Sequence, residues 1–164
     1  MPAAAAGEIA ATAYSFKRNA LLLGKAIDAL SPEEWLRRPA PESNPILWIV
    51  GHIVWGRSRA LAYLGQEWSR PWLPIFVRGA KLSDDAQLPS REEIVSGWED
   101  ISAALDAALE SASIDRLAAP APEKSPSPDG TIGGMLSFLA FHETYHVGQA
   151  AYLHCWLGHE GIIG

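Results

Sequence analysis

The sequence predicts an all-α protein, a four-helix bundle, and three observations carry that prediction. Four long segments place apolar residues at alternating steps of four and three, the spacing of one buried helix face. Stretches rich in proline and glycine separate these segments, and no run of alternating β-branched residues bounded by turns indicates a strand. A chain of 164 residues can bury a core of its own, so we expect one domain over 1–164.

The first helix is predicted over 5–29. A short extra turn is predicted after it, because Ser31, Pro32 and Glu34 form a capping box in which serine and glutamate bond each other's backbone N–H groups. The apolar face of the helix is formed by Ile9, Ala13, Phe16, Ala20, Leu23, Ile27 and Leu30.

The second helix is predicted over 45–64, where Pro45 starts it and Gly65 ends it. A long irregular connection follows. Its large aromatic residues allow two interpretations: they wall a pocket at the mouth of the bundle, or they pack under the connection as a satellite cluster. These residues are Trp68, Trp72 and Phe76.

The last two long helices are predicted over 91–111 and 131–157. A second capping box, Ser90 with Glu93, marks the start of the first of them. A proline-rich linker, 119–130, separates the two helices. Four amphipathic helices of this length pack together most simply as a four-helix bundle.

Composition argues against several classes of partner. The net charge is −6 and no basic run exceeds two residues, so we expect no nucleic acid partner. The longest apolar run, PILWIVGHIVWG, is too short to span a bilayer, and the N-terminus lacks the basic region of a signal peptide, so we expect no membrane partner. The single cysteine, Cys155, forms no internal disulfide, which indicates a reducing, cytoplasmic setting.

The segment HETYH, from His142 to His146, matches the H-E-x-x-H zinc signature of many metalloproteases. Both histidines continue the apolar seam of the last helix, at positions where the other helices carry isoleucine or leucine. A buried polar group without a partner costs about 1–3 kcal/mol, so something must satisfy both rings. Residues four apart share one helix face, so the pair can hold one cation, although two core histidines with other hydrogen-bond partners remain an alternative.

His52 is the candidate third ligand, because it lies in the second helix with Trp48 and Trp55 on either side. The alternative is a core histidine satisfied by hydrogen bonds. His154 and His159 are predicted to be surface or interface residues without a metal role. The first faces away from the seam at about 100° per residue, and the second lies beyond the helix end.

A protease interpretation has less support than the signature suggests. Only eighteen residues follow His146, too few for a further helix with the third ligand, and no strand is predicted that would bind an extended peptide. Glu143 is a candidate general base that reaches a metal-bound water, or it contacts a ligand histidine, or it faces solvent. Gln149, one turn past His146, is a candidate to bond a group behind the metal ligands or the substrate, or is a polar spacer satisfied by the backbone. Arg59 either binds an anionic substrate group or forms a surface salt bridge.

The pattern resembles a known family. A histidine in the second helix, in VGHIVW, and the motif HETYHVGQAAYL in the last helix resemble the DinB-like superfamily, and the resemblance covers the whole chain. It implies a four-helix bundle, often dimeric, in which His52, His142 and His146 bind one divalent metal ion, zinc or nickel. Relatives often have a basic residue where this chain has Val147, so no role of that residue is carried over.

The same resemblance implies chemistry on small thiols. Characterised relatives include transferases and isomerases that use low-molecular-weight thiols such as bacillithiol or mycothiol. The leading hypothesis is therefore a metal-dependent transferase or isomerase that acts on a small-molecule thiol and an electrophilic substrate, and works as a homodimer. The alternative is a metal-binding bundle without catalysis, in stress response or assembly, and a metallopeptidase ranks third. A closed fourth protein ligand would favour the non-catalytic alternative.

Overall fold

The computed structural model describes residues 2–80, 87–122 and 124–163, and across these residues it contains helices and no strands. The all-α prediction is confirmed, and each of the four predicted helices is present with small shifts at its ends. The α-helices are α1 Pro2–Ile27, α2 Ile46–Tyr63, α3 Arg91–Ser111, α4 Ile114–Ala118 and α5 Ile132–Trp156, and two 3₁₀ helices span Glu34–Leu36 and Leu73–Phe76.

Helix α4 was not predicted, because five residues are too few to show a helical period. Its start does follow the capping rule, since the Ser113 hydroxyl accepts a hydrogen bond from the backbone N–H of Arg116 at 3.1 Å. Both predicted capping boxes are formed. Ser90 with Glu93 starts α3, and Ser31 with Glu34 holds the first 3₁₀ helix.

Helices α1 and α5 run parallel and pack against each other. The Asn19 amide donates to the Ala140 carbonyl at 3.3 Å, and further along both helices His154 bonds the Ala26 carbonyl at 2.9 Å. Helix α2 runs antiparallel to α5, and α3 completes the bundle between α2 and α1. The order is therefore up, down, down, up, with α2 and α3 as parallel neighbours.

Parallel neighbours need a connection that returns along the bundle, which explains the long segment between α2 and α3. Two aromatic residues of this segment pack directly against glycines of α2 and α3, and these contacts hold the segment on the bundle. A Cβ on Gly51 would lie 2.5 Å from the Phe76 ring, and one on Gly97 would lie 2.7 Å from Trp72. Both aromatic side chains are buried in the core, so they pack under the connection, and Trp72 also borders a cavity of about 860 Å³ between the connection and the start of α3.

In the described part of the chain, no helix is both long enough and apolar enough to cross a membrane.

Candidate metal centre

Three histidines from two helices meet in the core of the bundle. Because α2 and α5 are antiparallel, His52 of α2 faces the pair on α5, and the ligand nitrogens of all three lie within 4.8 Å of one another. The Nε2 atoms of His142 and His146 are 3.1 Å apart. Two nitrogen ligands of one tetrahedral zinc ion stand about 3.3 Å apart, given Zn–N bonds of about 2.0–2.1 Å. The pair is therefore spaced as two ligands of one ion.

The His52 ring is oriented by a backbone hydrogen bond and by two indole faces. Its Nδ1–H donates to the Phe76 carbonyl at 2.7 Å, which leaves Nε2 with its lone pair for the cluster. The ring stacks on Trp48 at a centroid distance of 4.6 Å and on Trp55 at 5.1 Å. The connection between α2 and α3 therefore supplies the acceptor that sets the tautomer.

The His146 ring is oriented in the same manner by Gln149. Its Nδ1–H donates to Oε1 of Gln149 at 2.8 Å, and the amide of Gln149 in turn donates to the Tyr145 hydroxyl at 3.1 Å. Gln149 thus bonds a histidine of the cluster itself, a contact that the sequence did not specify. A hydrogen bond on the far nitrogen of a ligand histidine fixes its orientation and raises its basicity.

The three imidazoles are neutral at pH 7, which is the state that binds a metal. Burial, with a smaller contribution from the charge of His52, lowers the pKa of His146 to about 4. Burial also lowers the pKa of His52 and of His142, and the Arg78 guanidinium adds to the effect on His142. Three neutral nitrogen donors suit a borderline divalent cation such as zinc or nickel, so the residues present fit a metal ion.

The cluster is most accessible at His142. His52 and His146 are 2% and 7% exposed, whereas His142 is only half-buried and lies against the half-buried ring of Phe138 at 6.1 Å. In the described part of the chain, the cluster has no fourth ligand from cysteine, aspartate or glutamate. A molecule reaching the histidines would therefore approach past His142.

Glu143 lies next to the cluster in sequence, but its carboxylate is held by an arginine. Nε and Nη2 of Arg57 donate to its two oxygens at 2.8 Å each. Arg57 also donates to the Phe16 carbonyl and the Ser102 hydroxyl, both at 2.9 Å, and lies 4.1 Å from the centre of the Trp98 ring. This placement favours a structural role for Glu143 over that of a general base.

Sequence reasoning missed Arg57, although one signal was present. Arg57 lies four residues after Ile53, on the apolar face of α2, and both it and Glu143 are buried, at 1% and 4% exposure. An arginine at a core position requires a buried anion, and Glu143 occupies such a position on α5. Pairing the two would have predicted the contact.

The prediction that His154 is a surface or interface residue is wrong. It faces away from the cluster as predicted, but α1 covers that face, so His154 is 5% exposed and bonds the Ala26 carbonyl. His159 bonds Glu34 at 2.9 Å, and neither histidine belongs to the cluster.

Two further candidates lie outside the cluster. The Arg59 guanidinium lies 5.5 Å from the centre of the Tyr63 ring, and among the described residues it has no carboxylate partner, so the expected surface salt bridge is not found. Cys155 is exposed on α5.

Comparison with known protein families gives a match over most of the chain. The DinB superfamily matches residues 15–150, a span that contains all three histidines of the cluster and Gln149. No curated protein matches the chain.

Proposed function

Because the chain belongs to the DinB superfamily, we propose that it is a metal-dependent enzyme in which His52, His142 and His146 hold one divalent cation, zinc or nickel. The observation that carries the proposal is the approach of the three ligand nitrogens to within 4.8 Å in an apolar core. Two of the three rings have their other nitrogen engaged by a protein acceptor, which is the arrangement typical of metal-binding histidines.

The reaction that this site favours is transfer of a small thiol to an electrophile, or isomerisation of a substrate through a transient thiol adduct. A divalent cation at the cluster would supply positive charge that lowers the pKa of a thiol at its open position. In the transfer, the sulfur forms a bond to an electrophilic carbon, the leaving group departs with its electron pair, and the thiol proton passes to solvent. A reducing, cytoplasmic setting would keep such a thiol reduced.

The residues of the chain have separate parts in this proposal. Neutral histidines leave the charge of the cation uncancelled, and His142 borders the open side through which the thiol enters. Gln149 orients His146, and Glu143 acts through Arg57 to hold α5 against α2 at this level. Cys155 lies outside the cluster, so the thiol arrives as a second substrate.

The second candidate is a metal-binding bundle without catalysis. The observation that favours it is the burial of His52 and His146, since structural metal sites are closed to solvent. Against it, the cluster provides three ligands within the described residues, which leaves one tetrahedral position for water or substrate. A metallopeptidase has less support still, because Glu143 is engaged by Arg57 and the described residues contain no strand for an extended peptide.

We also propose that the chain forms a homodimer through a groove between α1, α4 and α5. The groove has a volume of about 750 Å³, and Ile114 and Phe141 at its edge are 53% and 71% exposed. In a two-fold dimer, each copy can insert its Phe141 into the groove of the other. Light scattering at micromolar concentration should give a dimer mass for the wild type and a monomer mass for Phe141→Ser. A monomeric wild type contradicts this part of the proposal.

The thiol proposal is tested with zinc- or nickel-loaded protein, a panel of small thiols and a chromogenic electrophile. The matched control is Tyr14→Phe, a conservative change of an exposed residue on α1. We expect His142→Ala to lose both the metal and the transfer, while Tyr14→Phe keeps both. Metal binding without any thiol transfer would favour the non-catalytic candidate, and absence of metal binding would refute both.

A further inference from the structure

A chain of hydrogen bonds leads from the cluster to the protein surface. It runs from Nδ1 of His146 to Oε1 of Gln149, and from Nε2 of Gln149 to the hydroxyl of Tyr145. Gln149 accepts from His146 and donates to Tyr145, so all the donors of this series of hydrogen bonds point away from the cluster. Tyr145 accepts from Gln149, and among the described residues no acceptor takes the hydroxyl proton of Tyr145. The chain therefore ends on a free phenol O–H donor, on a side chain that is 60% exposed.

This donor borders a cavity of about 560 Å³ between α5 and the loop that precedes α2. Tyr145 and Tyr152 lie on one face of α5 with Gly148 between them, and no atom lies within 4 Å of where a Gly148 Cβ would be. Buried Ile49 and Leu153 supply an apolar floor. Two tyrosine rings, an open glycine and an apolar floor suit a planar aromatic ligand, because aromatic faces pack well on flat rings.

The charge of the cavity limits the ligand further. Glu42 is the charged residue among those that line it, and the other polar groups are neutral, from Ser43, Asn44, Gln149 and the two tyrosines. A carboxylate in the wall repels an anion and accepts a hydrogen bond from an N–H donor. The cavity is therefore suited to a neutral or cationic molecule.

We propose that this cavity binds a small planar aromatic molecule, neutral or cationic, which presents an oxygen acceptor to the Tyr145 hydroxyl and an N–H donor to Glu42. The cavity is separate from the cluster, because none of the three histidines lines it and it lies behind His146, on the Nδ1 side. The ligand is therefore a second ligand and not the substrate at the cluster.

The hydrogen-bond chain couples this ligand to the cluster, and only this coupling rests on the proposed function. An acceptor that binds the Tyr145 hydroxyl makes the Tyr145 oxygen a better acceptor for Gln149. The amide oxygen of Gln149 becomes in turn a better acceptor for His146, which raises the basicity of Nε2. The coupling is reciprocal. A metal at the cluster raises the affinity for the ligand by the same factor by which the ligand raises the affinity for the metal.

Benzamide is the test ligand, because it combines a flat ring with a carbonyl acceptor and an N–H donor. We expect it to shift the backbone amide resonances of 145–152 in a ¹⁵N-labelled sample at millimolar concentration. Benzoate has the same shape with a negative charge, and we expect it to bind about two- to five-fold more weakly. Glu42→Gln should remove that difference.

Tyr145→Phe keeps the ring and removes the hydroxyl, so benzamide should bind about five-fold more weakly, the value of one hydrogen bond. Tyr14→Phe removes an equally exposed hydroxyl on α1 and should leave the affinity unchanged. Saturating zinc should tighten benzamide binding up to about two-fold in the wild type and not in Tyr145→Phe.

The binding site would be overturned by an absence of shifts, by shifts confined to other surfaces, or by equal affinities for wild type and Tyr145→Phe. Loss of the benzamide shifts at high protein concentration would overturn it too, because a second copy would then cover the cavity. Zinc is titrated in the same samples by competition with a chromogenic chelator. Benzamide binding that is insensitive to bound zinc would refute the coupling alone, whereas failure of zinc to bind would refute the metal proposal and leave the cavity in place.

Discussion

Arg57 and Glu143 form a buried, bidentate ion pair that joins α2 to α5 at the level of the three histidines. Arg57 lies five residues after His52, and Glu143 directly follows His142. The same guanidinium reaches a carbonyl of α1 and a hydroxyl of α3, so one side chain connects all four long helices. A buried ion pair is a weak source of net stability, and its best-attested use is to specify the register of packed elements. Here that register aligns the metal ligands.

The first prediction concerns this pair. Glu143→Leu leaves a buried cation without its partner, so the free energy of unfolding should fall by about 3–5 kcal/mol, measured by urea denaturation. The double variant Arg57→Met/Glu143→Leu removes both charges and should recover most of that loss. A general base would behave differently: removal of Glu143 would abolish activity with the fold intact, and the double variant would not restore it.

The second prediction concerns the ligand set. His52→Ala, His142→Ala and His146→Ala should each lose most of the bound zinc or nickel, measured by elemental analysis after dialysis. The matched control is His154→Ala, a buried histidine on α5 outside the cluster, which should keep the metal and lose about 1–3 kcal/mol of stability. Full metal occupancy in His52→Ala would show that the third ligand is wrongly assigned.

The third prediction concerns pH in the chelator-stripped protein. Burial lowers the pKa of His146 to about 4, below its ordinary value of 6.5, so the folded state binds fewer protons than the unfolded state between these values. The contribution of His146 to stability should therefore be complete above pH 6.5 and fall as pH drops towards 4, by about 3 kcal/mol, and the lowered pKa values of His52 and His142 act in the same direction. Urea midpoints measured across pH 4–8 test this. His146→Gln should make the curve shallower, and a wild-type curve no steeper than that of the variant would refute the prediction.

The fourth prediction concerns the contact between Gly51 and Phe76, the residue whose carbonyl accepts the hydrogen bond from His52. Gly51→Ala places a methyl group 2.5 Å from the Phe76 ring, so it should displace that residue together with its carbonyl. We expect a loss of about 1–3 kcal/mol in stability and weaker metal binding. Gly56→Ala on the same helix is the control, because no atom lies within 4 Å of its Cβ position. That variant should be neutral or stabilised by up to about 1 kcal/mol. Equal behaviour of the two variants would contradict this account.

The predictable part of the molecule was the part governed by local rules. Helix period and capping placed the long helices within a few residues of their observed ends, and the seam of α5 brought His142 and His146 to one face. Contacts between segments that are distant in the sequence could not be predicted from local patterns. Nothing local to His154 shows that α1 covers it, and nothing local to Phe76 shows that its carbonyl orients His52. Arg57 had a local signal, but its partner lies 86 residues away.

The parallel packing of α1 against α5 has a consequence for how the protein is made. The first and last long helices are side by side, so the bundle cannot close during synthesis until almost every residue of the described chain has left the ribosome. Until α5 has been synthesised, Arg57 of α2 lacks its ion-pair partner Glu143. His52 of α2 likewise lacks the other two histidines of the cluster. A nascent chain of three helices therefore lacks the ion pair and two of the three metal ligands, so we expect folding and metal loading to be late events that occur together.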